Sequence, residues 1–129
     1  MTGFLESHTY TAEIVSPVHI GSGEKTSSID YVLHGKELYI ISMEKLIESF
    51  TPEQSKVFSE KLIETKNLSR TLQMLNFRPV DYRKYAKYVV PCTIQPSELY
   101  TFVKDVRYRP YIPGSSIKGA LRTAICYNL

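Results

Sequence analysis

The chain has 129 residues, 43% hydrophobic and 22% charged, with a net charge of +3, enough for one small domain with a real core. No apolar run approaches the roughly 20 residues of a membrane span, and the opening lacks the charged-then-apolar pattern of a secretory signal, so the sequence predicts a cytoplasmic protein without a membrane partner. Cys92 and Cys126 stand far apart without paired-cysteine spacing, and they read as reduced, small apolar residues rather than a disulfide or metal ligands. No cofactor is expected. Charge is unevenly spread: residues 1–64 hold ten acids against five lysines and no arginine, whereas residues 65–129 hold eleven bases against Asp81, Glu98 and Asp105. A basic second half suits a polyanion partner, and equally a solvated basic face.

In chain order, residues 8–16 alternate, with Tyr10, Ala12 and Ile14 on one side, which predicts a strand with one buried face. It runs into Pro17-Val18-His19-Ile20-Gly21-Ser22-Gly23, where the glycines free the backbone for a turn. Residues 29–33 and 38–41 flank His34-Gly35-Lys36 as a β-hairpin. From Met43 the period lengthens, and Leu46, Ile47 and Phe50 share a helical face. Thr51-Pro52-Glu53 then starts a second helix carrying Val57, Phe58, Leu62 and Ile63. A third is expected over residues 68–77, ended before Pro79. Tyr82, Tyr85 and Tyr88 lie in a stretch dense in tyrosine and base. Residues 88–94 read as a strand that Pro91 confines to an edge, residues 99–106 alternate as another, and residues 117–127 form a last helix.

Two segments carry chemistry. In Pro113-Gly114-Ser115-Ser116-Ile117-Lys118-Gly119-Ala120-Leu121-Arg122, a serine can cap the helix and the free N–H groups at its positive end favour a phosphate. Lys118 and Arg122, four apart, extend that surface along one face, and Gly119 leaves room for a close neighbour. A well-capped helix with solvated bases fits the same spacing. In His19-Ile20-Gly21-Ser22-Gly23, with Lys25 beyond, alternate glycines can form an anion-binding nest. Most such turns bind nothing, and a lone histidine is more often packed than functional. The Gly-Lys-Ser/Thr ending of a Walker loop is missing.

Taken together, His-Ile-Gly-Ser-Gly at 19–23 and Tyr-Ile-Pro-Gly-Ser-Ser-Ile-Lys-Gly-Ala-Leu-Arg at 111–122 resemble the RAMP superfamily of CRISPR proteins. With Ile29-Asp30-Tyr31-Val32 and the hairpin ending in Tyr39-Ile40-Ile41, the layout resembles the fifth-subunit family of type III-A (Csm) effector complexes. The resemblance implies an α+β fold, a ferredoxin-like (RRM-like) RAMP half-domain with a helical insertion at about residues 43–98. By the same resemblance, residues 1–129 form the N-terminal part of a longer subunit. The function implied is a structural subunit that binds CRISPR guide RNA near its 3′ end and supports guide maturation in antiviral defence. Its implied partners are the guide RNA, the backbone RAMP subunit of the Csm complex and host nucleases that trim the guide. The implied RNA-binding residues are His19, Gly21, Ser22, Gly23, Lys25, Gly114, Ser115, Ser116, Lys118 and Arg122.

Two rival functions stay open. Metal-independent RNA cleavage needs a base near the 2′-hydroxyl and stabilisation of the leaving oxygen. His8, His19 or His34 could serve, as could Asp30, because related backbone subunits cut target RNA with an aspartate after the first strand. Asp30 reads more simply as a strand-edge carboxylate. The other rival is an assembly module whose apolar helices dock a protein without touching RNA.

Overall fold

The computed structural model describes residues 5–129 and is a mixed α+β structure with two antiparallel sheets. Its centre is the hairpin of β2 (Tyr31–His34) and β3 (Glu37–Ile41), joined across a two-residue turn in which Gly35 adopts φ 63°. That left-handed conformation is what a tight hairpin demands and what glycine supplies without strain. A third strand, β4 (Ala86–Pro91), pairs with β3, giving the order β2-β3-β4. Pro91 sits at the end of this edge strand, as its missing donor requires.

Alternation along the hairpin sends its side chains to opposite faces of the sheet. Val32, Tyr39 and Ile41 point into one buried cluster, while Tyr31, Leu38 and Ile40 build a second on the other side. The first cluster is covered by the helical layer: α1 (Met43–Glu48), α2 (Pro52–Thr65), α3 (Leu68–Met74) and α4 (Pro79–Tyr85). These helices contribute Leu46, Phe58, Leu68, Leu72 and Tyr82, and Phe50 and Phe77 pack around them. Their starts follow local chemistry. Ser42 and Asn67 cap α1 and α3, and Thr51 with Gln54 forms a reciprocal capping box at α2, each supplying acceptors for otherwise unpaired N–H groups. Thr71, fully buried, is satisfied by Asn67 O and Thr65 Oγ1, both at 2.9 Å.

α4 was not among the expected helices. Pro79 does end α3's pattern, yet it also occupies the first turn of the next helix, where its fixed φ is an asset. Tyr82 of the tyrosine cluster is thereby 2% exposed in the core, and Tyr85 and Tyr88 are half-buried. Arg83 ties α4 to the sheet through Glu37 at 3.1 Å.

The strand expected over residues 8–16 is absent. Residues 5–20 carry no regular secondary structure, and Tyr10, Ile14 and Val15 are exposed. Alternation makes a strand only beside a neighbour that can take its backbone hydrogen bonds, and among the described residues none lies alongside. The first strand is instead β1 (Gly21–Ser27), which holds the glycines assigned to a turn and pairs with β5 (Glu98–Phe102). Gly21 faces Phe102 and Lys25 faces Tyr100, so four steps along β1 match two along β5. Gly23 absorbs this irregularity at φ 85°, a conformation a side chain would oppose.

β5 is also shorter than its alternation suggests. After Phe102 the chain doubles back, with Lys104 bridged to Pro110. The last helix, α5 (Gly114–Tyr127), starts three residues before the position expected.

Candidate functional site

The two motifs meet at one edge of β5. Val103 donates its N–H to Ile20 O at 2.9 Å, and its carbonyl accepts from Tyr111 N–H at 3.4 Å. One residue therefore links the segment entering β1 to the segment entering α5. Among the described residues, no hydrogen bond joins the side chains of the two motifs directly.

In the first motif, His19 lies edge-on to Phe102 with ring centroids 5.7 Å apart and stays exposed. Ser22 Oγ bonds Thr101 Oγ1 at 2.6 Å and accepts from Glu24 N–H. Lys25 pairs with Glu98 at 3.5 Å and lies 4.9 Å from the centre of the Tyr100 ring. Gly21, Ser22 and Gly23 lie in β1 rather than in a turn: Gly21 pairs with Phe102, and Ser22 and Gly23 fall in the irregular stretch before Lys25 pairs with Tyr100.

In the second motif the helix cap differs from expectation. Pro113 (φ −62°, ψ 141°) is the N-cap, no side chain caps α5, and Ser115 and Ser116 lie within its first turn. The fixed φ of proline lets its carbonyl accept from Ser116 N–H at 3.0 Å and Ile117 N–H at 3.3 Å, closing the helix one stage early. The first-turn N–H groups of Gly114 and Ser115 have no intrahelical acceptor and face outward at the positive end of the dipole. Lys118 and Arg122 are exposed along one surface trough with Ile117, Leu121 and Ile125. Among the described residues, neither base takes part in an ion pair. A side chain on Gly119 would meet nothing within 4 Å of its Cβ, so the space beside it is open.

The nuclease candidates are not assembled into a pair. Asp30 lies in the turn before β2, not within the strand, because its N–H closes that turn on Ser27 O at 3.0 Å while Oδ2 accepts from Ser27 N–H. Among the described residues, Asp30 and His19 share no hydrogen bond or ion pair, and no group of three metal-ligating side chains converges. Among the described residues, no helix is long and apolar enough to cross a membrane.

A determinant the sequence reading missed is Asp105. Its carboxylate accepts from the N–H groups of Arg107 at 2.8 Å and Arg109 at 3.0 Å, and from Arg109 Nε at 2.8 Å. It thereby builds the turn that presents Arg107 and Arg109 beside the approach to α5. The signal was an aspartate two and four residues ahead of arginines at the end of an alternating run. These bonds, the Arg109 N–H first and then its guanidinium and the Arg107 N–H, hold the Asp105 carboxyl below the usual carboxylate range. A depressed folded-state value means that the turn is fully stabilised above that ordinary range and loses the contribution as pH falls through the lowered value. Thermal melts of wild type and Asp105→Asn should therefore differ near neutrality and converge in acid; a gap independent of pH would refute this account.

A family model of the RAMP superfamily matches residues 11–125. The chain belongs to that superfamily. Within it, the chain is similar to proteins named Csm5. A Mycobacterium tuberculosis (strain CDC 1551 / Oshkosh) protein named "CRISPR system Cms protein Csm5" is 29% identical over 153 residues, covering 100% of this chain and 41% of that protein. The Streptococcus thermophilus protein of the same name is 30% identical over 126 residues, covering 86% of this chain and 35% of that protein. The crystal structure of T. onnurineus Csm5 shares this fold, with a TM-score of 0.67 and 24% identity over 89% of this chain and 33% of that one. This RAMP chain thus spans less than half the length of the curated relatives it matches.

Proposed function

We propose that this RAMP chain forms part of a structural subunit of a type III-A Csm complex, which binds CRISPR guide RNA near its 3′ end and supports guide maturation in antiviral defence. The observation that carries the proposal is the start of α5, where outward N–H groups with no side-chain cap continue into exposed Lys118 and Arg122, neither in an ion pair among the described residues. That arrangement offers an anion a dipole and two cations without the cost of displacing an acidic partner. The ferredoxin-like description belongs to this reading, as does the treatment of residues 43–98 as an insertion. So do its partners, the backbone RAMP subunit and the nucleases that trim the guide. The exposed apolar stripe of Ile117, Leu121 and Ile125 is a surface suited to a protein neighbour.

Titrating guide RNA at several salt concentrations, with and without divalent metal, and running each sample on a denaturing gel tests the reading. Intact RNA is expected, with affinity falling as salt rises at a slope of about −0.7 per phosphate contact. No salt-sensitive binding would leave an assembly module. RNA cleavage that disappears in Asp30→Ala or His19→Ala would make the protein an endonuclease.

A further inference from the structure

A second recess lies between the two sheets, away from α5. Two adjoining hollows of about 360 and 300 Å³ share Thr26, Ile40, Lys87 and Tyr108 as walls, and Tyr88 and Lys104 line the second. Two local irregularities aim side chains into it. The first is a bulge in β4: Ile41 faces Ala86 while Ile40 faces Tyr88, which leaves Lys87 as the extra residue. In an unbroken strand Lys87 and Tyr88 would point to opposite faces. Here both line the same hollow, and the buried pattern shifts phase, with Ala86 and Val89 three apart yet on one face.

The second irregularity is Tyr108. It adopts φ 60° in the turn built by Asp105, a left-handed position that strains a bulky side chain and that glycine or asparagine would fill at less cost. Its ring stands 5.6 Å from that of Tyr88, tilted by 40°, and remains 44% exposed. Strain of this kind persists where surrounding structure over-determines it, and it concentrates at binding sites.

Charge decides which ligand suits the recess. Glu24, Asp30, Glu44 and Asp105 lie on its walls with its lysines, so it is no phosphate-tracking groove. Lys104 is occupied, its Nζ donating to Phe102 O at 3.1 Å and lying 4.8 Å from the centre of the Tyr88 ring. Lys87 has no ion-pair partner among the described residues. Exposed aromatic surface backed by a second ring, with one available cation, fits a single unstacked base and the phosphate next to it.

We infer that this recess holds one nucleobase of single-stranded RNA, stacked on Tyr108 with Lys87 on the adjoining phosphate, an inference that rests on the RNA-binding reading above. Tyr108→Gly separates this role from a structural one, because glycine relieves the backbone strain while removing the ring. The variant should melt no lower than wild type, yet bind a mixed-sequence single-stranded RNA about 5- to 100-fold more weakly. An RNA carrying a run of abasic nucleotides should bind wild type and Tyr108→Gly alike, since the stacking partner is already gone. Tyr108→Phe should keep wild-type affinity. Lys87→Gln, at an exposed bulge, should cost about 5-fold at 0.1 M salt and flatten the salt slope by about 0.7.

Unchanged RNA affinity in both Tyr108→Gly and Lys87→Gln would overturn the inference. If Lys118→Ala/Arg122→Ala still weakens binding in that case, RNA binding at α5 stands and the recess alone is wrong; if it does not, the RNA-binding reading falls too. Loss of AMP binding without loss of RNA binding in Tyr108→Gly would assign the recess to a free nucleotide and likewise overturn it.

Discussion

Phe58→Ala is expected to destabilise the protein by about 3–5 kcal/mol, the usual cost of removing a buried phenyl ring and leaving a void. Phe58 is 3% exposed and lies in the cluster between the sheet and the helical layer. Its ring is 5.1 Å from that of Phe50, which meets Phe77 at 5.6 Å, and Phe77 meets Tyr85 at 6.0 Å. This relay of tilted and edge-on rings joins α2 to α4, so a hole at Phe58 also removes the packing partner of Phe50. A domain of this size has only about 5–15 kcal/mol of stability in total. Urea unfolding followed by circular dichroism should show a large fall in the midpoint for Phe58→Ala. Ile63→Ala, on the same helix but at a residue 75% exposed, should stay within about 0.5 kcal/mol of wild type. Equal effects at the two positions would mean that α2 does not pack as described.

Lys118→Ala/Arg122→Ala should weaken guide-RNA binding roughly 25-fold at 0.1 M salt, because each lost phosphate contact on a single strand removes about 0.7 from the salt exponent. The loss should be similar across RNA sequences, since phosphate contacts position a strand without reading it. The slope of log affinity against log salt should flatten by about 1.4 at the same time. Both residues are exposed on α5, which contributes no buried residue, so the double variant should melt like wild type. Fluorescence anisotropy at several salt concentrations measures affinity and slope together. Wild-type values of both, in a folded double variant, would remove α5 from the RNA path.

The sequence by itself determined the elements whose signals are local. The capped helical starts at Ser42, Thr51 and Asn67, the Gly35 hairpin and the edge placement of Pro91 all follow from chemistry within a few residues. The motif at 111–122 was legible for the same reason, being contiguous, and it lies inside the region that matches the RAMP superfamily.

Tertiary structure decided whatever depends on a neighbour distant in sequence. Alternation over residues 8–16 matched a strand, but ladder hydrogen bonds come only from an adjacent chain, and β5 pairs with residues 21–27 instead. Pro79 was readable as a stop, while its second role as a start needed β3 and β4 to receive Tyr82 and Tyr85. The bulge at Lys87 and the strained Tyr108 left no mark in composition or period. They exist because β4 shifts register against β3 and because Asp105 folds Arg107 to Arg109 back on itself, so the recess they share arises only when separate segments pack together.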